Sequence, residues 1–239
     1  MHDTTPAMVI AVDGPAAAGK TTTSLVLART FGLDYLESGK AFRVIACEAL
    51  RRRRPVDDPD AIGNLCDELF ADGDSGSVLA SARYTPLALR SPDVTAAVPV
   101  VARMPDVRRH ITALIHQWAA QHRRCIIEGR DIGTAVFPAA PVKFYLTATT
   151  EIRAARRVRQ EPGHTYDIVL ADVRRRDLAD MTRTIAPLTP ANDAIEIDTS
   201  RLTIRQVLHR MSAVCRTRGI DNPTPDNHIS PASPATPST

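Results

Sequence analysis

The residues with the clearest chemistry are Gly14-Pro15-Ala16-Ala17-Ala18-Gly19-Lys20-Thr21. Their spacing is G-x-x-x-x-G-K-[ST], the pattern of a loop that cradles phosphates. Each part has a physical task. The glycines allow backbone angles that turn successive N–H groups around an anion. A helix starting at Lys20 adds the positive potential of its N-terminus. The Lys20 ammonium is suited to bridging β- and γ-phosphates, and the Thr21 hydroxyl to ligating Mg²⁺. With Thr22 completing the first turn, the segment Gly14–Thr22 is expected to bind a nucleoside triphosphate. It does not say which reaction follows.

Arginine far outnumbers lysine in the 239 residues, which favours flat, two-pronged contacts to phosphate. Arg176, Asp180 and Arg183 are spaced i, i+4, i+7, so a helix over Tyr166–Arg183 would carry all three on one face. Standing alone, that pattern also describes an exposed salt-bridged helix. The run Thr150–Arg159 holds Arg153, Arg156, Arg157 and Arg159, which is either a phosphate-facing set or a solvated basic face.

The elements that must position these groups alternate. Val9–Asp13, Cys125–Glu128 and Val142–Thr147 are short apolar runs that read as buried strands, with Ala194–Asp198 a last one. Helical spacing predicts Lys20–Phe31, stopped by Gly32, and Gly39–Arg52, with Phe42, Ile45, Ala46 and Leu50 on its inner side. Helices are also predicted over Asp60–Phe70, Asp106–His122 and Leu202–Arg218. Asp72–Gly76 reads as a turn, Glu161–Gly163 as a break, and Val78–Arg90 is ambiguous. Alternating strands and helices predict an α/β fold whose parallel sheet is covered on both faces. The Pro-, Ser- and Thr-rich stretch 221–239 is expected to be a disordered tail.

Composition bounds the partners. The hydrophobic fraction is 44%, enough for a core, and with 4% aromatics it must be largely aliphatic. A net charge of +3 is too small to argue for nucleic-acid binding, whereas local arginine clusters suit small polyanions. Cys47, Cys66, Cys125 and Cys215 have no paired spacing and read as reduced thiols. The seven histidines form no ligand pattern. His116 and His122 read as surface residues and Trp118 as packing. No apolar run reaches membrane-spanning length, so a cytoplasmic protein without membrane contact is expected.

Three further segments bear on the reaction: Glu37-Ser-Gly-Lys-Ala-Phe-Arg43, Glu128-Gly-Arg-Asp-Ile-Gly-Thr134 and Arg176-Asp-Leu-Ala-Asp-Met-Thr-Arg183. With the cradle, in this order, they resemble the bacterial cytidylate kinases. Arg90-Ser-Pro-Asp-Val94, Pro105-Asp-Val-Arg108, Val136–Lys143 and Ala186–Pro190 add to the likeness, which covers about Val9 to Arg218.

The resemblance implies a P-loop NTPase three-layer sandwich over 8–220, with an acceptor-binding insertion at about 56–102 and a helical lid at about 153–176. It implies transfer of the γ-phosphate of ATP, with Mg²⁺, to CMP and dCMP by a monomer. Arg43, Arg130 and Arg183 would hold the acceptor phosphate, with Ser38 and Lys40 in the same segment as Arg43. Asp180 would contact the ribose with Arg176 alongside. Asp131 and Arg108 would read cytosine. Arg156 and Arg157 would meet the transferring phosphates. Lys20, Arg130, Asp131, Arg156, Arg157 and Arg183 form the catalytic set.

The chain departs from the family pattern on the acceptor side. The family serine that touches cytosine aligns with Pro99, which has neither hydroxyl nor N–H. Lys40 adds a cation, Phe42 replaces a tyrosine, and Ala80–Thr85 replaces an Asn-Gly-x-Asp-Val stretch. An alternative acceptor is therefore a modified cytidylate or another phosphorylated metabolite. A nucleotide-binding module without turnover, recruiting a partner through its tail, is the reading outside the enzyme class.

Overall fold

A computed structural model describes residues 7–71, 83–160, 163 and 165–221. Five parallel strands form one sheet in the order β2-β3-β1-β4-β5. They are β1 Met8–Asp13, β2 Asp34–Glu37, β3 Arg124–Glu128, β4 Val142–Thr147 and β5 Ile195–Asp198. The first strand is central: Ile10 lies beside Ile126 on one side and Val142 on the other.

Side chains along a strand alternate between faces, and β1 shows what this sets up. Val9 and Ala11 join a core with Cys125, Ile127 and residues of α2 (Gly39–Arg51), α3 (Pro59–Ala71), α5 (Pro92–Val101) and α6 (Pro105–His122). Ile10 and Val12 join the opposite core, where Leu27 and Phe31 of α1 (Lys20–Phe31) meet Val207 and Met211 of α9 (Ile204–Thr217). Ile45, Ile62, Leu65, Ile111 and Ile115 are fully buried in the first layer, each contributing about 1.5–3 kcal/mol by its removal from water. α4 is a single turn, Pro86–Leu89. Two further helices, α7 (Thr150–Gln160) and α8 (Tyr166–Met181), share a small cluster of Ala154, Val169 and Val173.

Most boundaries fall within a residue or two of the expected ones, and the differences have causes. In α2 the buried set is Ala41, Val44, Ile45, Ala46, Glu48 and Ala49, while Leu50 is exposed. Glu48 takes an inner position because Arg51, Arg52 and Tyr84 all donate to its carboxylate, at 2.7–2.9 Å. Helix α8 stops at Met181 with Thr182 as its cap, so Arg183 does not lie on the helix with Arg176 and Asp180. The side-chain hydroxyl of Thr182 turns back to the Leu178 carbonyl at 2.7 Å, an ending the i, i+4, i+7 spacing does not reveal. Helix α5, over a stretch with no helical expectation from the sequence, has Pro99 inside it. The proline supplies no N–H to the turn before it, at a typical cost of about 3 kcal/mol. Burial of Val94, Ala97 and Val101 holds the helix nonetheless.

The predicted turn at Asp72–Gly76, most of the Glu161–Gly163 break and nearly all of the tail lie outside the described residues. The four cysteines are free, three of them buried. Burial pushes the thiols of Cys66 and Cys125 up to about 12. His116 is exposed, as expected, though its Nε2 lies 2.6 Å from the Val136 carbonyl and its ring stacks on Phe137. His122 stacks on Trp118, and Trp118 packs against the first core as expected.

Candidate active site

The loop leaving β1 is shaped by positive backbone angles at Gly14 (φ 141°), Ala17 (φ 60°) and Gly19 (φ 98°). Gly14 has a second constraint: a Cβ there would run into the backbone carbonyl of Leu146 in β4. The loop therefore passes tightly over the neighbouring strand and delivers Gly19 to the start of α1. Lys20 is buried, donating to the carbonyls of Gly14 at 2.8 Å and Pro15 at 2.9 Å. Burial, and then the Arg130 charge, push its ammonium down to about 7 against the pull of Glu128 and Asp13.

Thr21 donates its hydroxyl to Glu128 Oε1 at 2.6 Å, and Tyr35 donates to the same oxygen at 2.9 Å. The other oxygen, Oε2, is buried and has no hydrogen-bond partner among the described residues. Burial raises the Glu128 carboxyl above its ordinary range, opposed by Lys20. Glu128 ends the buried strand beside β1, where an acidic residue can join the loop Thr in holding a metal. An acidic residue at the end of an apolar strand is the sequence signal for that placement.

A cavity of about 490 Å³ opens over the loop at the carboxyl end of the sheet. Because β1 is central, the sheet order sorts the lining. On the β5 side lie Thr199, Leu202, Ile204 and Val207. On the β2–β3 side lie Phe42, Val98, Pro99, Ala102, Asp131 and Arg183. Of the expected cradle, Ala16 through Thr22 line the cavity, while Gly14 and Pro15 stand behind it.

The structure gathers most of the arginines. Arg43 donates to the Leu89 carbonyl at 2.8 Å and to Thr95 at 3.2 Å. Its guanidinium is pushed down by burial, relieved by Glu37, then pushed further by Arg90, Arg157 and Arg130. Arg176, 2.9 Å from Asp172, is pushed down to about 10 by burial and by Arg157. Arg157 lines the cavity 3.5 Å from Asp172. Arg130 donates to Asp180 at 2.9 Å. Arg90 also lines the cavity. The Arg-Ser-Pro-Asp stretch is its sequence signal.

Deeper on the β2–β3 side, Asp131 is buried between two guanidiniums. Arg108 donates to one carboxylate oxygen, and Arg183 lies 3.3 Å from the other. Arg108 also donates to the Ala102 carbonyl and stands over the Phe42 ring at 5.7 Å. The turn carrying Asp131 is fixed by Asp13, which accepts from the backbone N–H groups of Ile132 (2.8 Å) and Gly133 (2.7 Å). Those amides begin a π-helical turn, Ile132–Val136, a local geometry common at functional sites.

Ser38 and Arg156 line the cavity while their polar groups are engaged by other parts of the chain, and Lys40 stands outside it. The Ser38 hydroxyl donates to the Glu128 carbonyl at 2.8 Å, tying β2 to β3. Lys40 is 40% exposed, 3.7 Å from Glu37, and does not line the cavity. Arg156 is held toward β5, donating to the Thr199 hydroxyl at 2.9 Å and carbonyl at 2.7 Å.

A phosphate loop at the end of the central strand, facing a vault of guanidiniums, defines a P-loop phosphotransferase. The chain belongs to the cytidylate kinase family, whose sequence profile matches residues 10–217. It is thus a nucleoside monophosphate kinase. It is 41% identical over 222 residues to a cytidylate kinase of Nocardia farcinica, covering 90% of this chain and 95% of that one. It is 41% identical over 212 residues to a cytidylate kinase of Corynebacterium glutamicum, covering 85% and 92%. The crystal structure of an uncharacterised Eubacterium ventriosum protein shares the fold, with a TM-score of 0.50, 11% identity, and coverage of 88% and 99%.

Proposed function

We propose that this protein transfers the γ-phosphate of ATP to CMP and dCMP. The observation that carries the reading is the convergence of Arg43, Arg130, Arg157 and Arg176 with Lys20 on one cavity, where burial and then the neighbouring guanidinium charges lower the proton affinity of Lys20, Arg43 and Arg176. Such mutual repulsion is relieved when two phosphate chains meet between them.

ATP occupies the loop Gly14–Thr22, with its base toward Leu202 and Val207. Thr21 and Glu128, with its unpartnered oxygen, suit Mg²⁺, which neutralises charge on the phosphates. The CMP phosphate takes Arg43, Arg130 and Arg183, bringing its oxygen toward the γ-phosphorus. Lys20, Arg156 and Arg157 serve the charge of the loose transition state. Asp131, flanked by Arg108 and Arg183, selects the cytosine amino group over the uracil carbonyl. Asp180 and Arg176 hold the ribose. We read α3 to α5 as the acceptor-binding insertion and the pair α7–α8 as the lid, in a cytoplasmic monomer that binds neither nucleic acid nor membrane.

One feature favours a second reading. Pro99, with Val98 and Ala102, makes an apolar wall beside Asp131, which suits a cytidylate bearing an added alkyl group. The test is a panel of CMP, dCMP, UMP, AMP and C5-substituted cytidylates with ATP and Mg²⁺. CMP turned over at least tenfold faster than UMP supports the first reading. A substituted cytidylate that outruns CMP supports the second, and no ADP from any acceptor rejects both in favour of a binding module.

A further inference from the structure

The proposed reaction leaves two basic residues of α7 unused, and of these Arg153 is buried while Arg159 is exposed. The Arg153 side chain is 4% exposed. Three separate elements share its guanidinium. Nε donates to the Ala148 carbonyl beyond β4, at 2.9 Å. One terminal nitrogen reaches the Ala16 carbonyl in the phosphate loop at 3.3 Å, and Asp177 Oδ1 in α8 at 2.9 Å. The other donates to Asp177 Oδ2 and lies 3.4 Å from the Thr150 hydroxyl.

Asp177 stands between Arg176 and Asp180, both of which line the cavity. Around a helix, residues 176 and 180 share a face and residue 177 flanks it. Whatever holds Asp177 therefore sets the rotation of α8 and the direction of those two side chains. The apolar attachment of α7 to α8 is slight, chiefly Ala154, Val169 and Val173. Of the other ion pairs between the two helices, Arg174 with Glu151 is more than half exposed and contributes little, and Arg157 with Asp172 is partly buried but 3.5 Å apart. The pair Arg153–Asp177 is different: it is buried, two-pronged, and extends to the loop that holds the donor phosphates.

We infer that Arg153 and Asp177 are a positioning pair that fixes α8, and the acceptor held there, in register with the phosphate loop. The inference rests on the acceptor assignment above. Neither residue needs to touch a substrate. In-line transfer requires the attacking oxygen and the phosphorus to be aligned, and an error near 1 Å costs about 100-fold in rate. A fork of parallel hydrogen bonds fixes angle as well as distance, which a lysine in place of Arg153 cannot do.

The test compares Asp177→Asn, Asp177→Glu and Arg153→Lys with the parent. Steady-state rates are measured alongside binding of ATP alone, CMP alone, and an analogue joining adenosine and cytidine through an oligophosphate chain. The linked analogue reports alignment, because both halves must fit at once. For Asp177→Asn, kcat should fall roughly 10- to 100-fold, while each KM and each single-ligand Kd stays within about threefold. The extra affinity gained by linking should fall at least tenfold, and Asp177→Glu should restore part of kcat. A merely structural role would lower the folded fraction and leave the linking advantage of the folded molecules unchanged. If Asp177→Asn does not fold, Arg153→Lys, which keeps the charge but loses the fork, is read the same way. A parent that gains from linking, with a variant that gains equally, overturns the positioning pair alone. A parent that binds the linked analogue no tighter than ATP overturns the acceptor assignment and this inference with it.

Discussion

Asp131→Asn probes the β2–β3 end of the cavity with a change of almost no volume. Asp131 and its two partners have side chains only 5–8% exposed. The carboxylate is the counter-charge shared by Arg108 and Arg183, and the Arg183 nitrogen nearest it has no hydrogen-bond partner among the described residues. Breaking a buried pair typically costs about 3–5 kcal/mol, because it strands a desolvated charge. Asparagine still offers one oxygen, and the Ala102 carbonyl and the Phe42 ring still face Arg108, so the lower end, about 3 kcal/mol, applies. For a domain of this size 1 kcal/mol moves the melting temperature by about 2–4 °C, so the loss should be roughly 6–12 °C. The same change replaces a pure acceptor with a group that also donates. The preference for CMP over UMP should therefore fall at least tenfold in kcat/KM. Calorimetric melting and paired kinetics read the two effects separately. A melting temperature within 2 °C of the parent would refute the buried-triad argument, and unchanged selectivity would refute the role given to Asp131.

Three other outcomes are expected. Lys20 sits at about 7 and regains its proton beside a polyphosphate. ATP binding should thus take up a proton above pH 7, weakening with rising pH by at most about tenfold per unit; calorimetry in buffers of different ionisation enthalpy reads this uptake, and Lys20→Met should abolish it. Glu128→Gln should raise the Mg²⁺ concentration needed for half-maximal rate at least tenfold with little change in ATP affinity measured without metal, and an unchanged Mg²⁺ dependence would remove Glu128 from the metal site. Burial alone would raise Glu48, but hydrogen bonds from Arg51, Tyr84 and Arg52 hold it down to about 2. Its stabilising contribution is present above the ordinary carboxylate pKa near 4.5 and is lost as pH falls from there toward 2, so Glu48→Gln should flatten the acid limb of the stability curve over that range.

Local sequence determined much of this protein. The apolar runs Val9–Asp13 and Val142–Thr147 became strands because burial on both faces leaves them no polar alternative. The cradle was legible because Gly14, Gly19, Lys20 and Thr21 act within one turn of chain, where spacing is geometry. The ends of α1 were legible for the same reason: Gly32 takes the left-handed angle that stops it. What depends on distant segments meeting was decided by the tertiary structure alone. Glu128 faces Thr21 across 107 residues of chain only because β3 pairs with β1. Asp13 steadies the turn after Asp131 only because the same two strands end together. Helical spacing placed Arg183 beside Arg176 and Asp180, yet the chain leaves α8 at Met181. Arg183 reaches Asp131 from a loop instead. Spacing records which residues can share a face; which charge a buried guanidinium meets is fixed only when separate elements pack and exclude water.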